Sequence, residues 1–70
     1  MATLVTVKTF VYDDLAVELQ KATRRDGRVY YEVDFIEGDF EYTEGKFWDA
    51  DEAEALYEEI VANIKNGWRP

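Results

Sequence analysis

The stretch DDLAVELQKATRR, residues 13–25, decides the fold. Read as a helix, Asp13 or Asp14 caps its start and Leu15, Leu19 and Ala22 recur at helical spacing. Lys21, Arg24 and Arg25 then complement the negative end of the helix dipole, and Gly27 stands just past the end. Read as a strand, Leu15, Val17 and Leu19 alternate and a loop containing Asp26-Gly27 follows. Ala, Leu, Glu, Gln and Lys are strong helix formers, so the composition of the segment favours the helix.

On either side the reading is simpler. Thr3 to Tyr12 is rich in β-branched and aromatic residues and reads as a strand, with Val5, Val7, Thr9 and Val11 on one face. Arg28 to Ile36 alternates: Val29, Tyr31, Val33 and Phe35 face one way, Tyr30, Glu32, Asp34 and Ile36 the other. A turn around Glu37-Gly38-Asp39 leads into a second strand through Phe40 and Tyr42. A two-residue loop at Glu37-Gly38 sets Asp34 opposite Glu41, whereas one at Gly38-Asp39 sets Asp34 opposite Thr43 and Ile36 opposite Glu41. Gly45 marks a bulge or the end of this strand.

The last segment is a helix. Asp49 and Glu52 have the spacing of a capping box, and Trp48 precedes the cap in place for a hydrophobic staple. Ala53, Leu56, Ile60 and Ile64 form the inward stripe with Tyr57 beside it, and Gly67 ends the helix. Trp68 is expected to pack back on it. The expected fold is one α+β domain over residues 1–70, an antiparallel sheet with helices on one face in the order β-α-β-β-α. A four-stranded meander covered by the last helix, β-β-β-β-α, is the runner-up.

Seventy residues bury a core that leaves roughly 3–5 kcal/mol of net stability. The apolar fraction of 47% and aromatic fraction of 16% exceed those of a disordered acidic tail. The chain has no Cys, His or Ser. Serine triads, cysteine–histidine dyads, imidazole acid–base chemistry and zinc–histidine sites are thereby excluded, and the expectation is a protein that is not an enzyme and holds no cofactor. Asp39, Glu41, Thr43 and Gly45 only faintly follow a calcium loop: the glycine falls one position late and no bidentate acid closes it, so no metal is expected. Without cysteine, leader or long apolar run, a cytoplasmic location and no membrane contact are expected.

Charge carries the functional reading. The net charge is −8, yet residues 1–31 sum to +1 and residues 60–70 to +2, leaving −11 in residues 32–59. Alternate strand residues stand roughly 6.6 Å apart, so Glu32 and Asp34, and likewise Asp39 and Glu41, are expected to form two short anionic rows extended by Glu37 and Glu44. Tyr30 and Ile36 stand among them as apolar contact points. Glu54 and Glu58 on the helix are expected to continue the same surface. Such a surface disfavours direct contact with nucleic acid and favours a basic protein partner. The alternatives to a partner surface are a plain solvated sheet face and, after it, adaptation to a salty cytoplasm, and the basic cluster Lys21, Arg24, Arg25 and Arg28 reads as a helix C-terminus.

In size, charge and layout, Tyr31-Glu32-Val33-Asp34-Phe35, Asp39-Phe40-Glu41-Tyr42 and the helix from Asp49 make the chain resemble small phage-encoded DNA-mimic inhibitors. Anti-CRISPR proteins, anti-restriction proteins and uracil-DNA glycosylase inhibitors are examples. The resemblance implies a monomer or small homo-oligomer in a host cytoplasm, without chemistry of its own. It would block a nucleic-acid-handling enzyme or complex by offering carboxylates where phosphates would lie. The competing expectation is a small structural or regulatory interaction domain, docking through its sheet edge or through Tyr30 and Ile36, whose acid serves solubility.

Overall fold

The computed structural model describes residues 3–67. The expectation for Trp68 lies outside them. Four strands, β1 (Thr3–Tyr12), β2 (Leu15–Thr23), β3 (Val29–Glu37) and β4 (Phe40–Phe47), precede a single helix, α1 (Ala50–Lys65). The strands form one antiparallel sheet in the order β1-β2-β3-β4, and α1 packs across β2, β3 and β4 on one face.

The order β-α-β-β-α is therefore corrected to β-β-β-β-α. Residues 15–23 are a central strand hydrogen-bonded on both sides, to β1 and to β3. Leu15, Val17 and Leu19 point toward α1 and are buried there. A helix would have placed Val17 on a different side from Leu15 and Leu19. The period of two, which buries all three, outweighs helix propensities worth only tenths of a kcal/mol per residue. Asp13 and Asp14 form the tight turn between β1 and β2, not a cap. Asp13 takes φ 58°, a left-handed conformation that Asp tolerates better than bulkier residues. Lys21 stands on β2, and Arg24, Arg25 and Arg28 belong to the loop leading to β3, not to a helix end. In that loop Asp26 accepts the Arg28 backbone N–H at 3.0 Å and Gly27 adopts φ 89°.

Register follows the loops. The β3–β4 turn is Gly38-Asp39, so Asp34 lies opposite Thr43 and Ile36 opposite Glu41. An extra residue, Glu44, breaks this ladder as a bulge next to Gly45. A Cβ on Gly45 would stand 2.9 Å from the Phe47 ring and 3.2 Å from Leu56 Cδ2, so the helix approaches β4 where a side chain is missing. A second bulge, between Thr6 and Lys8, overturns the expected face of β1. One inserted residue flips the alternation, so Val5, Lys8, Phe10 and Tyr12 share the helix side, while Leu4, Thr6, Thr9 and Val11 lie on the open side.

The core is Leu15, Val17, Leu19, Val33 and Phe35 from the sheet with Ala53, Tyr57, Val61 and Ile64 from α1. The helix is rotated from the expected stripe: Leu56 and Ile60 flank the core, and Val61 takes a buried position. Asp49 caps α1 by accepting the Asp51 N–H at 2.8 Å. Trp48 does not act as a staple. It is 61% exposed, with its ring edge-on to Tyr30 at 6.0 Å and the Arg28 guanidinium 5.8 Å above it.

Candidate functional site

The face of the sheet opposite α1 is uncovered among the described residues. The ladders fix what it carries: Leu4, Thr6, Thr9 and Val11 from β1, Ala16, Glu18, Gln20 and Ala22 from β2, Tyr30, Glu32, Asp34 and Ile36 from β3, and Glu41, Thr43 and Lys46 from β4. Rows run across the strands. Glu18, Asp34 and Thr43 form one, Gln20, Glu32 and Lys46 the next, and Ala16, Ile36 and Glu41 a third.

Short side chains hold the carboxylates in place. The Thr43 hydroxyl donates to Asp34 Oδ1 at 2.9 Å. Gln20 donates through Nε2 to Glu18 Oε1 at 2.9 Å and accepts from the Thr6 hydroxyl at 3.1 Å. Asp34 is 5% exposed and Glu32 9%, so two acids are shielded on a face with no layer above it. Burial first, then the hydrogen bond to Asp34 and its negative charge, raise the Glu32 pKa above its ordinary value. Glu41 adds to this and Lys46 opposes it.

A carboxyl whose folded pKa is raised favours folding when protonated. Its contribution is complete below the unfolded value near 4.5 and is lost as pH rises through the folded value. Glu32 therefore weakens folding at neutral pH relative to acid pH. Glu32→Gln is expected to raise the unfolding free energy measured by urea denaturation at pH 7 by roughly 0.5–1 kcal/mol, the scale of a like-charge pair on a sheet. The gain should disappear at pH 4. A variant whose advantage is equal at both pH values, or absent at pH 7, would contradict a raised Glu32 pKa.

The expected site residues divide. Tyr30, Glu32, Asp34, Ile36 and Glu41 come together on the open face. Asp39 lies in the β3–β4 turn, Glu37 at the turn end of β3 on the helix side, and Glu44 at the bulge of edge strand β4. Glu54 and Glu58 are on the opposite side of the sheet, where both reach Lys8 Nζ at 3.4 Å. They do not continue the hairpin's surface, because the sheet lies between. Partial burial lowers the Lys8 pKa, but the two carboxylates outweigh it and hold the ammonium above its ordinary value.

Glu18 and Gln20 are the members the hairpin reading left out. Their signal was the alternation of Leu15, Val17 and Leu19, which puts the intervening residues on the other face of a strand. The charges are also polar end to end. The turns at Asp13-Asp14 and Gly38-Asp39 share one end of the sheet, where the Gly38 N–H donates to the Asp14 carbonyl at 3.2 Å. The loop bearing Arg24, Arg25 and Arg28 lies at the other end.

Among the described residues no group of three or more acidic side chains is arranged to hold a metal ion, and no helix is long and apolar enough to cross a membrane. Compared with protein-family models, with curated proteins and with solved structures, the chain matches none.

Proposed function

We propose that this chain is a non-enzymatic binding protein that engages a cationic partner through the open face of its sheet. In its finer form, it inhibits a nucleic-acid-handling protein by presenting carboxylates in place of phosphates. One observation supports this most: Glu18 and Glu41 stand on an uncovered face beside the shielded Glu32 and Asp34, with Glu18 directly opposite Asp34 across the β2–β3 ladder. Like charges at such positions destabilise a sheet, and a domain this small has little stability to spare. Guanidinium or ammonium groups from a partner would turn that repulsion into attraction and speed association at low salt. Tyr30 and Ile36 at the two ends of the row add apolar contact.

The test is capture by the immobilised chain from an extract of the cells it comes from, with elution by salt or by duplex DNA. Glu18→Lys combined with Glu41→Lys should reduce capture about tenfold or more. Asp51→Lys combined with Glu59→Lys, on the outer surface of α1, should leave it unchanged. Capture that resists salt and DNA and survives the sheet-face reversal would refute the proposal. It would favour a second reading, an interaction domain whose acid serves solubility. The exposed apolar residues along β1 speak for that reading.

A further inference from the structure

The two edges of the sheet differ. β4 is protected in the ways edge strands usually are, by Glu41, Glu44 and Lys46 and by the bulge at Glu44. β1 is ten residues long, exposes Leu4, Val5, Val7, Val11 and Tyr12, and has one charged residue. That residue, Lys8, leans over the helix side to Glu54 and Glu58 and so leaves the edge itself uncharged. Among the described residues β1 pairs with β2 alone. A bulge at Val7 is its only blunting feature, and an apolar edge of this length is a template for another strand.

We propose that the occupant is a second copy of this chain, paired antiparallel along β1 about a two-fold axis perpendicular to the sheet. The sequence of β1 specifies the register. Such an axis requires residues facing each other to lie on the same side of the sheet. The bulge makes one register satisfy this along the whole strand: Leu4 opposite Val11 of the second copy, Val5 opposite Phe10, Thr6 opposite Thr9, and Thr3 opposite Tyr12. Leu4, Thr6, Thr9 and Val11 are the open-face residues and Thr3, Val5, Phe10 and Tyr12 the helix-face residues, so every pair matches. Nearly all are favourable cross-strand pairs, apolar with apolar or threonine with threonine, and each occurs twice. Val7 and Lys8, where the alternation breaks, meet at the axis.

Charge complementarity supports the same arrangement. Antiparallel pairing brings the Asp13-Asp14 turn of one copy to the end of the other that carries Arg24 and Arg25. The separation is about two strand spacings, roughly 10 Å, close to one screening length in 0.1 M salt. An antiparallel pair of this length contributes on the order of ten main-chain hydrogen bonds, the number found in a standard interface. The axis also leaves both acidic faces on the same side of a continuous eight-stranded sheet. The pairing is independent of the function proposed above, since it uses the edge and not the face.

Sedimentation equilibrium tests it. The wild-type chain should weigh about twice 8.2 kDa at the higher loading concentrations. Leu4→Glu and Val11→Lys, each with an unchanged far-UV circular dichroism spectrum, should be monomers. Mixed in equal amounts, the two variants should form a heterodimer, because the carboxylate introduced at position 4 of one then faces the ammonium introduced at position 11 of the other. A wild-type chain that stays monomeric up to its solubility limit overturns the proposal. So does a Leu4→Glu variant that still dimerises, and a mixture that stays monomeric overturns the register.

Discussion

Phe35→Ala is expected to leave the chain largely unfolded at 25 °C. Phe35 is 1% exposed, sits at the middle of the sheet's core face opposite Val17 and Tyr42, and stacks on the Tyr42 ring at 5.4 Å. Truncating a fully buried phenylalanine costs about 3–5 kcal/mol, through lost burial and the cavity that remains. The whole domain has roughly that much stability. Phe40, two strand positions before Tyr42 on the same face, is 75% exposed and provides the control. Phe40→Ala should change the unfolding free energy measured in urea by little, within about 0.5 kcal/mol. A Phe35→Ala chain that keeps a cooperative transition near the wild-type midpoint would show that the core lies elsewhere.

Val61→Asp is expected to be nearly as damaging, and Leu56→Asp much less so. Val61 is buried against the sheet, whereas Leu56 flanks the core and is partly open to water. A carboxylate at position 61 would lose its hydration on burial against the sheet, a penalty of several kcal/mol that the group lowers by staying protonated. A carboxylate at position 56 can turn outward and keep its water, leaving a loss of about 1–2 kcal/mol of apolar burial. Thermal denaturation of the two variants measures the rotation of α1 about its axis. Equal losses, or a greater loss at Leu56, would restore the stripe expected from periodicity.

The acidic face and the apolar edge do different physical work. Carboxylates at Glu18 and Asp34 repel one another in the isolated molecule, and the charge of Asp34 adds to burial in raising the Glu32 pKa. A cationic partner beside Glu32 would lower its raised pKa, so binding should release protons at any pH where the free chain still holds one there. On β1 the driving force is instead burial of Leu4, Val5 and Val11 with main-chain pairing, which salt affects little. Varying ionic strength therefore separates the two surfaces in a single series.

Much of this was legible in residue order alone. The alternation from Val29 to Ile36 fixed both faces of β3, and the Gly38-Asp39 alternative already placed Asp34 opposite Thr43. Asp49 marked the start of α1, and the absence of His, Cys and Ser narrowed the chemistry, because these follow from local geometry and side-chain type. Residues 13–25 were not decidable in the same way. Their helix-forming composition and their alternating apolar residues point to different structures, and the strands on either side of β2 settled the matter by supplying hydrogen bonds to both edges and a helix to cover Leu15, Val17 and Leu19. The face of β1 likewise depended on one bulge, which period counting along a single strand does not see. The separation of Glu54 and Glu58 from the hairpin acids arose only when α1 folded onto the other side of the sheet: charge adds along a sequence without regard to direction, and a sheet separates it in space.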